Sequence, residues 1–144
     1  MKLTKSLFSL ALISLAVAAC KSTDPDPRTQ YVGTYKMAFT DVLQNRSSGA
    51  TANYLSTGTL NVKLGATQAE LILTERSTYP VQVSGNTFTI PAFIDIQSIA
   101  GSSVAFTVSG TGSFSPNGIT VTYTGMSTVN NQAIQFSTTG TGTK

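Results

Sequence analysis

Histidine and tryptophan are missing from the chain, and cysteine occurs once. Without histidine, Ser-His-Asp and Cys-His catalysis and the common zinc sites are excluded. A lone cysteine excludes an intramolecular disulfide, so the fold must hold by packing. Charged residues make up only 10% of the chain, and Arg28, Lys36, Arg46, Lys63 and Arg76 are scattered singly. Nucleic-acid binding needs a clustered basic footprint, which excludes that partner. No P-loop occurs, and no Gly-x-Gly-x-x-Gly run opens a helix, so no cofactor is expected. Long apolar runs are also lacking. The best, Leu7 to Ala19, is about 13 residues, against about 20 for a membrane-spanning helix.

What is there begins with that short run. Lys2 and Lys5 precede it, and the small residues Ala18 and Ala19 end it, which is the layout of a removable export signal. Val17-Ala18-Ala19-Cys20 resembles the lipobox of bacterial lipoproteins, in which the signal is cut before a cysteine that receives a diacylglycerol. The resemblance implies that residues 1 to 19 are removed and that Cys20 anchors the protein to a membrane. Two or more acyl chains give stable anchoring where one gives only marginal binding. Cleavage there leaves seven basic and six acidic residues, a formal charge of +1. Residues 21 to 30 are polar and hold Pro25 and Pro27. They read as an extended tether of about 30 Å at roughly 3 Å per residue. Lys21 after the cysteine resembles an outer-membrane sorting pattern, and Asp24 and Asp26 resemble the acidic export signals of surface lipoproteins.

From Tyr31 to the end, the pattern is one of strands. Tyr31, Tyr35, Met37 and Phe39 share one register, with Thr34 and Lys36 on the other. The period of two returns at Leu60, Val62 and Leu64, at Tyr79, Val81 and Val83, at Val104, Phe106 and Val108, at Ile119, Val121 and Tyr123, and at Ile134 and Phe136. Such alternation marks strands with one buried face. Ala69 to Arg76 alternates too and reads as a strand rather than a helix. Ser84-Gly85-Asn86, Asn117-Gly118 and Asn130-Asn131 supply residues that tolerate positive φ at hairpin turns. Pro80 and Pro91 point to edges or strand starts. Residues 44 to 56 carry no pattern and read as the longest loop. Consecutive hairpins with one apolar face predict an all-β domain over residues 31 to 144, an antiparallel up-and-down β-barrel of about eight strands; a β-sandwich is the alternative.

Several segments carry a family resemblance: Tyr31-Val-Gly-Thr-Tyr35, Val83-Ser-Gly-Asn-Thr-Phe-Thr-Ile-Pro91, Val108-Ser-Gly-Thr-Gly-Ser-Phe114, Ile119-Thr-Val-Thr-Tyr123 and Gly142-Thr-Lys144. They are similar to small outer-membrane lipoproteins of Bacteroidota. That resemblance implies a lipocalin-like β-domain and an envelope location, with no catalytic residue to carry over.

Candidate sites are few. Asp41, Glu70, Glu75 and Asp95 are the acids of the β-domain, and their dispersal along the chain argues against a metal site. Glu75 and Arg76 with Glu70 read as a solvated strand edge. Asp95 shares a face with Phe93 and Gln97, opposite Ile94 and Ile96; that face either looks outward or lines a cavity. Ser109 to Ser113 is Gly-rich inside a strand, where glycine marks a bulge or close packing. The inward aromatics either fill the barrel or line a pocket for an apolar ligand. Tyr35, Phe93, Asp95, Phe106 and Tyr123 are the candidate ligand-binding residues.

The expectation is a non-enzymatic, membrane-anchored envelope lipoprotein whose β-domain serves protein interaction or envelope structure. The low charge, the Ser/Thr-rich surface and a long loop at 44 to 56 suit that role. The alternative is a lipocalin-like binding module for a small apolar or amphiphilic ligand.

Overall fold

The computed structural model describes residues 25–99 and 101–144. The export signal, Cys20 and the first part of the tether lie outside the described residues. A short 3-10 helix, Pro27–Tyr31, leads into eight strands: β1 (Gly33–Asn45), β2 (Thr51–Leu64), β3 (Glu70–Thr74), β4 (Thr78–Ser84), β5 (Thr87–Ile99), β6 (Ser102–Ser115), β7 (Gly118–Val129) and β8 (Gln132–Thr143). Each pairs antiparallel with the next, and β8 returns to β1, closing an up-and-down barrel. Closure leaves no sheet-terminal strand, which is how a meander of amphipathic strands buries its apolar faces without a second layer.

The alternation in the sequence is the inside and outside of this barrel. Tyr35, Leu60, Leu71, Leu73, Val81, Phe106 and Val121 are at most 1% exposed, while their neighbours along each strand face water. Apolar side chains inside and Thr, Ser and Lys outside is the reverse of a membrane-spanning barrel. Glycines set the packing inside. Gly112 lies across from Phe88 and Val121, Gly125 from Phe136, and Gly140 from Phe39 and Val121. A ring on one strand thus fills the space left by a missing side chain on the next. Of the bulge or close packing expected for the Gly-rich run at 109 to 113, the structure shows close packing: the run pairs in continuous register with β7.

The two ends of the barrel differ. At the lower end the loop 65–69, the turns at 85–86 and 116–117, the 3-10 helix and the C-terminal Lys144 come together. Tyr31 stacks on Phe114 at 4.2 Å between centroids, and Phe88 leans on the same ring at 4.9 Å. The Tyr35 hydroxyl donates to the Tyr31 carbonyl at 2.8 Å. Arg28, buried, donates to the Thr67 and Glu70 carbonyls while pairing with Asp26. This arginine corrects the tether. The segment read as extended through residue 30 is docked onto the barrel from Asp26 onward, because a guanidinium that caps two loop carbonyls holds the 3-10 helix in place.

At the upper end the wall is incomplete. β3 and β4 have five and seven residues, against fourteen in β2 and thirteen in β5. β2 pairs with β3 only from Asn61 to Leu64, and β4 with β5 only at Thr87 to Thr89. Above these rungs a notch separates β2 from β5, with the β3–β4 turn at Glu75-Arg76-Ser77 as its lower lip. Pro91 stands where β5 leaves register with β6: the shift falls between Ile90 and Phe93, so one extra residue is taken up on β5. This bulge exchanges inside for outside. Phe88 and Ile90 face in below it, and Phe93, Asp95 and Gln97 face in above it.

The expected long loop at 44 to 56 is overturned. Strands continue to Asn45 and resume at Thr51, leaving a connection of residues 46–50. Alternation fails there because the upper interior is open, so the inward positions of β2, Tyr54 and Ser56, need not be aliphatic. The turn at Asn130-Asn131 is as expected, with φ of 50° and 61°. Gly85 takes the positive φ expected of its turn, 61°, whereas the turn at Pro116-Asn117 uses none; Gly49 and Gly101 also lie at positive φ.

Candidate binding cavity

The half-height hairpin leaves the upper barrel hollow, with a cavity of about 390 Å³ opening to the notch. Its floor is the top of the packed core. Phe136 meets Phe106 edge-on at 5.0 Å, and Tyr79 stacks on Phe93 at 5.1 Å with planes 13° apart. Tyr79 and Tyr123 meet edge to face, and their hydroxyls lie 2.5 Å apart. Burial raises the pKa of both phenols. Tyr123 is pushed up to about 12, and Tyr79, beside Tyr123 and closer to the acids Glu75 and Asp95, is raised further. Both hydroxyls therefore stay protonated across any physiological pH.

Three carboxylates line the same space from three directions: Asp41 from β1, Glu75 from the β3–β4 turn, and Asp95 from β5. Asp41 accepts from the Thr138 hydroxyl at 2.5 Å, across the β1–β8 seam. Asp95 accepts from the Gln97 amide at 3.0 Å. Glu75 reaches inward toward Gly58 on β2, and among the described residues its one ion-pair partner is Arg76 at 3.9 Å, whose side chain is 78% exposed. Loss of water raises the pKa of Glu75; Arg76 opposes that, and the charges of Asp41 and Asp95 add to it. Among the described residues, no three such ligands come close enough to share a metal ion.

Three of the five candidate residues meet here: Phe93, Asp95 and Tyr123. The other two do not. Tyr35 is sealed into the lower end, 1% exposed, with Lys144 over its ring at 5.6 Å. Phe106 packs edge-on against Phe136 and is fully buried. Both are packing residues: Tyr35 is held at the lower end, and Phe106, although its ladder partner on β5 is the cavity-lining Asp95, is covered by Phe136. The solvated-edge reading of Glu75 is also corrected. Glu70 belongs to the lower end, where it accepts from the Ala66 amide at 3.1 Å, while Glu75 turns into the cavity half a barrel away. Asp41, Glu75 and Tyr79 were missed as site residues. Inward polarity on strands otherwise apolar inside, at Asp41 and Thr138, was the available signal.

No family model matches this chain, and no curated protein or solved structure is significantly similar to it. The geometry above is thus the ground for any functional reading.

Proposed function

We propose that this protein is a membrane-anchored binding module of the cell envelope, holding a small amphiphilic molecule in the upper half of its barrel without turning it over. One observation carries the reading: the interior is packed solid below and hollow above, with aromatic rings on the cavity floor and polar groups around its opening. That gradient suits a ligand with an apolar body and a polar head, oriented by a few fixed groups. The notch gives it a side entrance that a complete wall would close.

The anchoring half of the proposal rests on Val17-Ala18-Ala19-Cys20 and on the export layout before it. Asp26 and Arg28 sit at the packed end, so a lipid on Cys20 would tie that end to an outer membrane. The cavity would then open away from the bilayer, toward molecules arriving through water.

A protein-interaction role has its own support, though not the long loop it was expected to use. Ile94 and Ile96, 63% and 69% exposed, lie on the outer face of β5, and Met126 joins Ile94 across Thr107 on β6. This apolar strip beside the open edge of β5 would suit a partner surface.

Native mass spectrometry of the mature chain, purified gently from a lipid-rich bacterial host, tests the binding reading. A mass excess of small-molecule size that is lost on denaturation is the expected result. A bare monomer that also takes up no added amphiphile would refute it, and a bare dimer would favour the interaction role.

A further inference from the structure

We propose that the ligand of the cavity is an organic ammonium ion on an apolar body; this rests on the binding reading above and adds the charge and shape of the ligand. The enclosed aromatic space comes first. Tyr79, Phe93, Tyr123 and Phe136 present rings to it, and ring faces attract cations most where water is excluded.

Second, the charge inside is one-sided. Asp41 and Asp95 are held by neutral partners, Thr138 and Gln97, and the one cation among the lining residues, Arg76, stands at the rim beside Glu75 with its side chain 78% exposed, leaving three carboxylates against one guanidinium. Three carboxylates on one partly desolvated cavity repel one another, and a cation among them relieves that repulsion. Their spacing is too wide for a bare metal ion but suits a head group among separate acceptors.

Third, a hydrogen-bond donor is left over. Tyr79 and Tyr123, each 7% exposed, have only each other as hydroxyl partners among the described residues. Two hydroxyls hold two hydrogens, and the bond between them uses one. The other is unspent at the cavity floor, where burying it without an acceptor is costly. An ether, hydroxyl or carbonyl oxygen in the body of the ligand would accept it.

The test uses three probes with one body and three head groups: 4-phenoxybutylamine, 4-phenoxybutan-1-ol and 4-phenoxybutanoate. Each is titrated into the mature chain near neutral pH and followed by amide NMR shifts at Phe93, Asp95 and Thr138. The amine is expected to bind about tenfold more tightly than the alcohol, the free-energy scale of a desolvated cation on aromatic faces, with the carboxylate weakest. In a chain carrying both Glu75→Gln and Asp95→Asn, the preference for amine over alcohol should shrink, because only Asp41 and the rings are left to hold the cation, while alcohol binding persists. Alcohol or carboxylate binding as tight as the amine overturns the ammonium assignment and leaves the cavity reading standing. No binding by any probe up to millimolar concentration overturns both. The comparison within the unmodified chain decides the matter even if the double variant folds poorly.

Discussion

Gly112 faces Phe88 across the β5–β6 ladder, and the ring covers it so closely that a methyl group there would stand 2.1 Å from Cζ. The Thr120 carbonyl, at 2.5 Å from the same point, belongs to the backbone of the next strand and cannot move aside. Gly112→Ala should therefore destabilise the barrel by about 3 kcal/mol, the cost of overpacking a filled core. Gly58 is the internal control. It also lies on an inward register, yet its nearest neighbour, the Phe39 ring, would be 3.5 Å from an added methyl. Gly58→Ala should stay within about 1 kcal/mol of the parent. Urea denaturation followed by circular dichroism measures both, and equal effects would refute the account of glycine packing.

The tyrosine pair makes a second prediction. Removing one hydroxyl by Tyr123→Phe strands that of Tyr79 without its partner, at a cost of about 1–2 kcal/mol. Tyr79→Phe together with Tyr123→Phe removes both polar groups, so the double variant should lose less than the sum of the single losses. Alkaline titration gives an independent reading. Burial raises both phenols, with Tyr123 adding to the effect at Tyr79, so the folded form holds protons that the unfolded chain releases above about pH 10. Stability should accordingly fall as the pH rises past that point, with tyrosinate absorbance from these two rings appearing only as the barrel unfolds. Full, early ionisation of every tyrosine in a still-folded chain would contradict the arrangement.

Legibility in the sequence followed what each residue had to bury. Tyr35, Leu60, Val81, Phe106 and Val121 alternate because a filled interior demands an apolar side chain at every second position, so strands, barrel and core could be read directly. The site escaped for the converse reason. Where the barrel is hollow, Tyr54 and Ser56 carry no apolar pattern, and β2 looked like a loop there. Asp95 turned on a single residue. Counting by twos from Phe88 and Ile90 puts Ile94 and Ile96 inside, and only the bulge at Pro91 reverses them. Nor could the sequence join Asp41, Glu75 and Asp95, since their meeting depends on a closed barrel and on a hairpin that stops at half height.

Cys20 carries the third prediction. With a diacylglyceryl cysteine the mature chain should sediment with membranes and resist a carbonate wash, since two acyl chains suffice for stable anchoring. Cys20→Ser should leave the barrel folded, because the described core holds no cysteine, and should shift the protein to the soluble fraction. A serine variant that remains membrane-bound would rule out the lipid anchor. An anchored parent should also be cut by added protease before Asp26 more readily than within the docked segment at Arg28.

Glu75 links the cavity to stability. Its carboxyl is raised by loss of water, partly countered by Arg76 and reinforced by Asp41 and Asp95. The folded chain thus binds this proton more tightly than the unfolded chain does. The sign follows from linkage: stability falls as the pH rises from the ordinary carboxylate range, about 4 to 5, through the raised value. Glu75→Gln removes the charge and keeps the shape. Thermal melts should show the variant above the parent near neutral pH and converging with it at about pH 4, where the parent carboxyl is protonated as well. Parallel melting curves across that range would show that Glu75 is not repelled in the cavity. The stabilising substitution should also weaken binding of an ammonium probe, because the repulsion of Glu75 by Asp41 and Asp95 is what a bound cation would relieve.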